Sequence, residues 1–169
     1  MRELYLVRHA KASWAHPELE DIKRELTDQG KQDAKRMATW LKHRLQQEKS
    51  KIDIILSSNA DRALATAHIF ANELGLKDDK LEINPIIFEN TVSALVPLIH
   101  HIDDKHATAM IVGHNPSLIE LINNYLFDDH PATTFQTGAI CCIQFDTKHW
   151  SKLSEVSNKL LFIESPENR

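Results

Sequence analysis

Three basic positions in this chain share one layout. Arg8 and His9 follow the apolar run Leu4-Tyr5-Leu6-Val7, Arg62 comes shortly after Ile52 to Ser58 (IDIILSS), and His114 comes just after Thr108 to Val112 (TAMIV). Each run has the length and apolar, partly β-branched content of a buried strand. In an open parallel α/β sheet the carboxyl ends of the strands lie on one edge, where ligands bind, so groups remote in sequence converge there. Guanidinium groups and imidazoles with no carboxylate inside these short motifs describe a site for an oxyanion, and phosphate is the obvious tenant. Arg62 sharpens the point. It falls in the first turn of a helix, where the macrodipole disfavours a cation, and an anion bound there reverses the penalty.

The elements that must position these groups alternate. After His9, the segment Ala10 to Leu26 has no sustained period and is long for a connection, which predicts a functional loop. Thr27 is the expected N-cap of a helix running to about Gln47, with Ala34, Met37, Ala38, Leu41 and Leu45 buried. Ser58 or Asn59 is expected to cap a second helix that buries Ala63, Leu64, Ala67, Ile69, Phe70 and Leu74 and stops at Gly75. A short strand, Leu81 to Ile83, precedes the Asn84-Pro85 break. A third helix is expected from about Val92 to Ile102, with Pro97 kinking it unless it begins near Ala94. Asn115 as N-cap with Pro116 at the first helical position predicts a fourth, burying Leu118, Ile119, Leu121, Ile122 and Leu126. A loop from Asp128 to Gly138 then leads to strands at Ala139 to Phe145 and Leu160 to Ile163, and the tail after Ser165 is expected to be mobile. The fold class is α/β: a three-layer α/β/α arrangement with a mostly parallel central sheet, as one domain over residues 1–169.

Composition narrows the function classes. The formal net charge of -4 argues against nucleic-acid binding through broad phosphate neutralisation, while leaving room for a focused cationic pocket. No apolar run has the length of a membrane span and the N-terminus lacks signal-peptide architecture, so a cytoplasmic location with no membrane partner is expected. The adjacent Cys141 and Cys142 should point to opposite faces of a strand, one into the core and one to the surface. The His100-His101-x-Asp103-Asp104-x-His106 cluster sits at a helix end and turn, where histidines favour the C-terminal dipole, so no metal is assigned.

The motifs RHA after the first strand, SSNADRALATA after the second and VGHNPSL after the fourth resemble those of the histidine phosphatase superfamily, with its phosphoglycerate mutase-like fold. The spacing Asp21-x-x-Arg24-x-Leu26-Thr27-x-x-Gly30 and the stretch TTFQTGAI resemble its SixA-type phosphohistidine phosphatase branch in particular. The resemblance runs from about Tyr5 to Phe145. It implies His9 as the nucleophile that takes the phosphoryl group, Arg8, Arg62 and His114 as the pocket lining, and Arg24 joining from the loop. Asn59, Ala65 and Glu25 depart from the usual residues of these motifs, and Glu25 places a negative charge beside Arg24. Physical chemistry agrees with the roles. An imidazole attacks only when neutral, neighbouring guanidinium groups lower its pKa, and pre-placed donors stabilise the transferring group without a cofactor.

Many relatives carry a carboxylic acid to protonate an alkoxide leaving group, and the candidates here are Glu89 and Asp21. A phosphohistidine substrate relaxes that need, because imidazole is the better leaving group. The short span between Gly75 and Val92 leaves no room for a cap domain, so the pocket should admit a phosphohistidine on a protein surface. The expected partner is a phosphotransfer domain or phosphocarrier. The rival classes are a broad phosphomonoesterase on the same scaffold and a non-catalytic phosphate-binding module.

Overall fold

The computed structural model describes residues 1–125 and 132–169. Strands β1 (Arg2–Arg8), β2 (Ile54–Ser57), β3 (Leu81–Ile83), β4 (Thr108–Gly113), β5 (Ile140–Phe145) and β6 (Asn158–Glu164) form one sheet in the order β3-β2-β4-β1-β5-β6. The first four are parallel, and β5 runs antiparallel to both β1 and β6. Helices α1 (Asp28–Gln47) and α2 (Asp61–Leu74) cover one face, and α3 (Val92–His100) and α4 (Ser117–Tyr125) the other. Side chains alternate along a strand, so β1 sends Leu4 and Leu6 toward the α3–α4 layer and Tyr5 and Val7 toward the α1–α2 layer. No helix among the described residues is long and apolar enough to cross a membrane.

Several local signals operate as expected. Thr27 caps α1 by accepting from the Gly30 amide at 2.9 Å, and Gly75 ends α2 in the left-handed region. Others are corrected. Cys141 and Cys142 do point to opposite faces, but both are buried, because β5 lies inside the sheet with packed layers on each side. Asn115 does not cap α4. The helix starts at Ser117, and the Asn115 amide donates instead to the Phe135 carbonyl at 2.9 Å. Pro97 sits inside α3, which begins at Val92. The tail is folded, with Pro166 buried, the Arg169 carbonyl accepting from Arg36, and the Arg169 guanidinium 4.9 Å from the Trp40 ring. Leu126, and Asp128 at the start of the expected loop, lie outside the described residues.

Register sets up the site. Arg8 pairs with Gly113 and Ser57 with Val112, so His9 leaves β1 level with His114 on β4, and Ser58 leaves β2 level with Gly113, one residue earlier. The ladder continues past the strand ends through His9 N–H to the Gly113 carbonyl and Ser58 N–H to the Val112 carbonyl, both 3.0 Å. Because β5 is antiparallel, its N-terminal end reaches the same edge. The Gly138 amide, at positive φ, donates to the carbonyls of Arg8 and His9 at 3.0 Å. Gly30 holds the opposite side: a Cβ there would lie 2.2 Å from the Lys11 carbonyl oxygen, so α1 packs directly on the backbone after His9.

Candidate active site

Arg8, His9, Arg24, Arg62 and His114 all line one open cleft of about 900 Å³ at the carboxyl edge of the parallel strands. The rings of His9 and His114 are 5.3 Å apart. His9 Nδ1 lies 2.7 Å from the Ala10 carbonyl oxygen. A carbonyl can only accept, so Nδ1 carries the proton and Nε2 keeps its lone pair free. Ala10 is fixed in turn: its amide donates to Thr66 Oγ1 at 3.0 Å, and the Thr66 hydroxyl donates to the Arg62 carbonyl at 2.8 Å. Thr66 is thus a supporting residue that the motif reading passed over, although its position one helical turn after Arg62 is the signal that would have found it.

The loop expected to be functional supplies Arg24 and the clamp that organises two arginines. Arg62 donates through Nη1 to the Asp21 carbonyl at 2.7 Å and through Nη2 to Asp21 Oδ2 at 3.1 Å, while Arg24 Nη1 reaches Asp21 Oδ1 at 3.2 Å. The Arg24 guanidinium also stacks on Trp14, 3.2 Å from the ring centroid, and its Nε donates to the Ser13 carbonyl. Arg24 therefore engages Asp21 and Trp14, and no ion pair with Glu25 occurs among the described residues. Arg8 donates to the Phe135 carbonyl at 3.1 Å. Glu89, at the end of a 3₁₀ segment (Pro85–Glu89), is exposed and does not line the cleft, whereas its neighbours Phe88 and Asn90 do. Asp21 lies in the cleft but is poorly suited to donate a proton. Burial raises its carboxyl, yet the hydrogen bonds and charges of Arg24 and Arg62 outweigh that and hold it below the usual carboxylate range. The expected cap by Ser58 or Asn59 is also revised. Ala60 occupies the cap position of α2, and the Ser58 hydroxyl turns toward His114.

Electrostatics divide the cleft between fixed cations and neutral imidazoles. Burial, followed by the charges of Arg62, Arg8 and Arg24, pushes His9 down to about 4, with the Ala10 hydrogen bond opposing in part. Burial, then His9 and the arginines, pushes His114 down to about 3. Both rings are therefore neutral near pH 7. The sign for stability follows. An unfolded histidine takes up its proton near pH 6.5, so between there and about 4 the unfolded chain binds more protons than the folded one, and stability is lost as the pH falls through that window. In a proton NMR titration of the substrate-free protein, His9 is expected to titrate near pH 4. A midpoint near its ordinary value would contradict the arrangement.

The chain is similar to known proteins in part of its sequence and in its fold. Residues 4–86 match the family model of the histidine phosphatase superfamily (branch 1). The fold is similar to that of the protein histidine phosphatase SixA solved with tungstate (TM-score 0.80, 22% identity, 98% of each chain covered). It is also similar to that of a protein assigned as phosphohistidine phosphatase SixA from Agrobacterium tumefaciens (TM-score 0.81, 25% identity, 98% of each chain covered). A mycobacterial glucosyl-3-phosphoglycerate phosphatase shares the fold at 13% identity, with a TM-score of 0.73 over 96% of this chain and 98% of that one. No curated protein matches the chain by sequence.

Proposed function

We propose that the chain, whose residues 4–86 match the histidine phosphatase superfamily, is a phosphatase of that superfamily and removes the phosphoryl group from a histidine of a phosphotransfer or phosphocarrier protein. With the substrate phosphohistidine protonated on its other ring nitrogen, His9 Nε2 attacks phosphorus, the substrate N–P bond breaks as the new one forms, and the electron pair stays on the substrate ring, which departs as neutral imidazole. Water then attacks the phosphohistidine on His9, releasing phosphate and restoring the free base. Arg8, Arg24, Arg62 and His114 face the charge spread over the equatorial oxygens during both steps.

The observation that carries this reading is a buried, neutral imidazole with its Nε2 lone pair free among three guanidinium groups. The choice of substrate rests on the leaving group. An alkoxide needs a proton from an acid: Asp21 is held ionised by the arginines, Glu89 lies off the cleft, and the other carboxyls that line it, Asp33 and Glu167, accept from Arg36 and from Gln136. A phosphohistidine protonated on its other ring nitrogen leaves as neutral imidazole without that help. The open cleft, with Trp14 at its rim 74% exposed, suits a side chain presented on a protein surface. The SixA proteins of the same fold bear names that state this activity.

The test compares kcat/KM for a histidine-phosphorylated phosphotransfer protein with that for sugar and nucleotide phosphates. The phosphoprotein is expected to be favoured by at least about tenfold, the size of a 1.4 kcal/mol difference in transition-state binding. Faster turnover of the small esters would make the chain a phosphomonoesterase instead. Absence of turnover on every substrate would leave a phosphate-binding module.

A further inference from the structure

Ser58 sits at the end of β2 with its hydroxyl 2.8 Å from His114 Nε2. Both residues are buried, at 0% and 4% exposure, so every polar atom of the pair needs a partner. Ser58 Oγ already accepts from the Ala60 amide at 3.1 Å. If it also accepted from an Nε2–H of His114, its own proton would have no acceptor among the described residues. That arrangement strands a buried donor. In the remaining arrangement the Ser58 hydroxyl donates to His114 Nε2 and the one donor left over is the ring proton on Nδ1, which has no protein partner among the described residues; His114 lines the cleft and Ser58 does not, so only this donor can be met by a bound anion.

We propose that Ser58 is a positioning residue that fixes the tautomer of His114, so that the ring offers an Nδ1–H donor to a phosphoryl oxygen. The two facing imidazoles then share one tautomer but present opposite chemistry. In His9 the backbone carbonyl of Ala10 takes up the Nδ1 proton and the free atom is a lone pair. In His114 the hydroxyl of Ser58 takes up the Nε2 lone pair and the free atom is a donor. The sheet register favours the pairing, since Ser57 stands opposite Val112, which puts Ser58 level with Gly113 and next to His114 one residue on. A His114 with the other tautomer would turn a lone pair toward an oxyanion and repel it.

The inference rests on the phosphoryl-transfer reading for its consequence, but its structural half is tested without any substrate. Nitrogen-15 NMR of the histidine-labelled protein at neutral pH reads the tautomer directly. The wild type is expected to show His114 protonated at Nδ1 and unprotonated at Nε2, and a protonated Nε2 would overturn the proposal whether or not the protein has activity. In Ser58→Ala the His114 signals should shift toward the Nε2–H form, and kcat on a histidine-phosphorylated phosphotransfer protein should fall about ten- to a hundredfold, toward the loss seen when one oxyanion donor is removed. Ser58→Thr keeps the hydroxyl and should restore both the wild-type spectrum and most of kcat. An unchanged His114 spectrum in Ser58→Ala would refute the assignment. If Ser58→Ala does not fold, the wild-type spectrum and the threonine variant decide. If the wild type turns over no phosphoprotein while the spectrum is as expected, the substrate reading fails and the tautomer assignment stands.

Discussion

Replacing His9 with alanine is expected to reduce turnover of a phosphohistidine protein by about 10⁴-fold or more, the scale on which removal of a nucleophile acts, while leaving the fold in place. The reason is that neither the neighbouring imidazole nor the arginines can take over. His114, the neighbouring imidazole, has its Nε2 engaged by Ser58, and the three arginines are permanently protonated and cannot attack. Among the described residues the His9 side chain makes a single hydrogen bond, to Ala10, and the backbone around it is held independently by the Gly113 carbonyl, the Gly138 amide and Thr66. Steady-state kinetics with circular dichroism of both proteins checks this. A variant that folds and still turns over substrate within tenfold of wild type would remove His9 from the mechanism.

The second large effect is expected at Arg62. Its side chain is 7% exposed and its fork grips both the backbone and the carboxylate of Asp21. Arg62→Lys keeps the charge but cannot span two acceptors with one ammonium, so it is not conservative here. Two consequences follow. The pocket loses geometry at a group facing the transferring charge, where one unit-charge contact at about 4 Å is worth about 4 kcal/mol at an effective dielectric of about 20. Asp21 also loses its anchor on α2, which frees the loop that carries Arg24 and Trp14. Both Arg62→Lys and Arg62→Ala should therefore lower kcat/KM by about 10²- to 10³-fold, with the lysine variant recovering little. Full activity in Arg62→Lys would show that charge alone suffices and that the Asp21 clamp is irrelevant.

The carboxyl-edge cluster was legible in the sequence because each member follows a strand whose apolar character is local. A buried run ending in Arg8-His9, or in Gly113-His114, carries its direction and its end in its own residues. Thr27 and Gly75 were legible for the same reason, since caps and left-handed stops are decided within one turn. What the sequence did not disclose depends on partners far along the chain. The alternation of β5 reads the same in either direction, so nothing local declared that it runs antiparallel and brings Gly138 back to the Arg8 and His9 carbonyls. Asp21 is a proton-donor candidate by sequence alone, because its distant contact with Arg62 on α2 cannot be seen in the loop's own pattern. The tail after Ser165 looked free, yet Arg36 and Trp40 of α1 hold Arg169 in place. Ser58 is, with Asn59, a cap candidate by its local sequence alone, whereas the neighbouring strand sets His114 beside it.

The central claim is that the phosphoryl group passes through His9, and it is tested most directly by trapping. The enzyme is mixed with a histidine-phosphorylated phosphotransfer protein, quenched at high pH within a single turnover, and analysed by intact and peptide mass spectrometry. The account predicts that one phosphoryl group appears on the enzyme, maps to His9, decays as inorganic phosphate is released, and is absent in His9→Ala. Loss of phosphate from the substrate with no phosphorylated His9 at any time, or a phosphoryl group mapping to another residue, would contradict it.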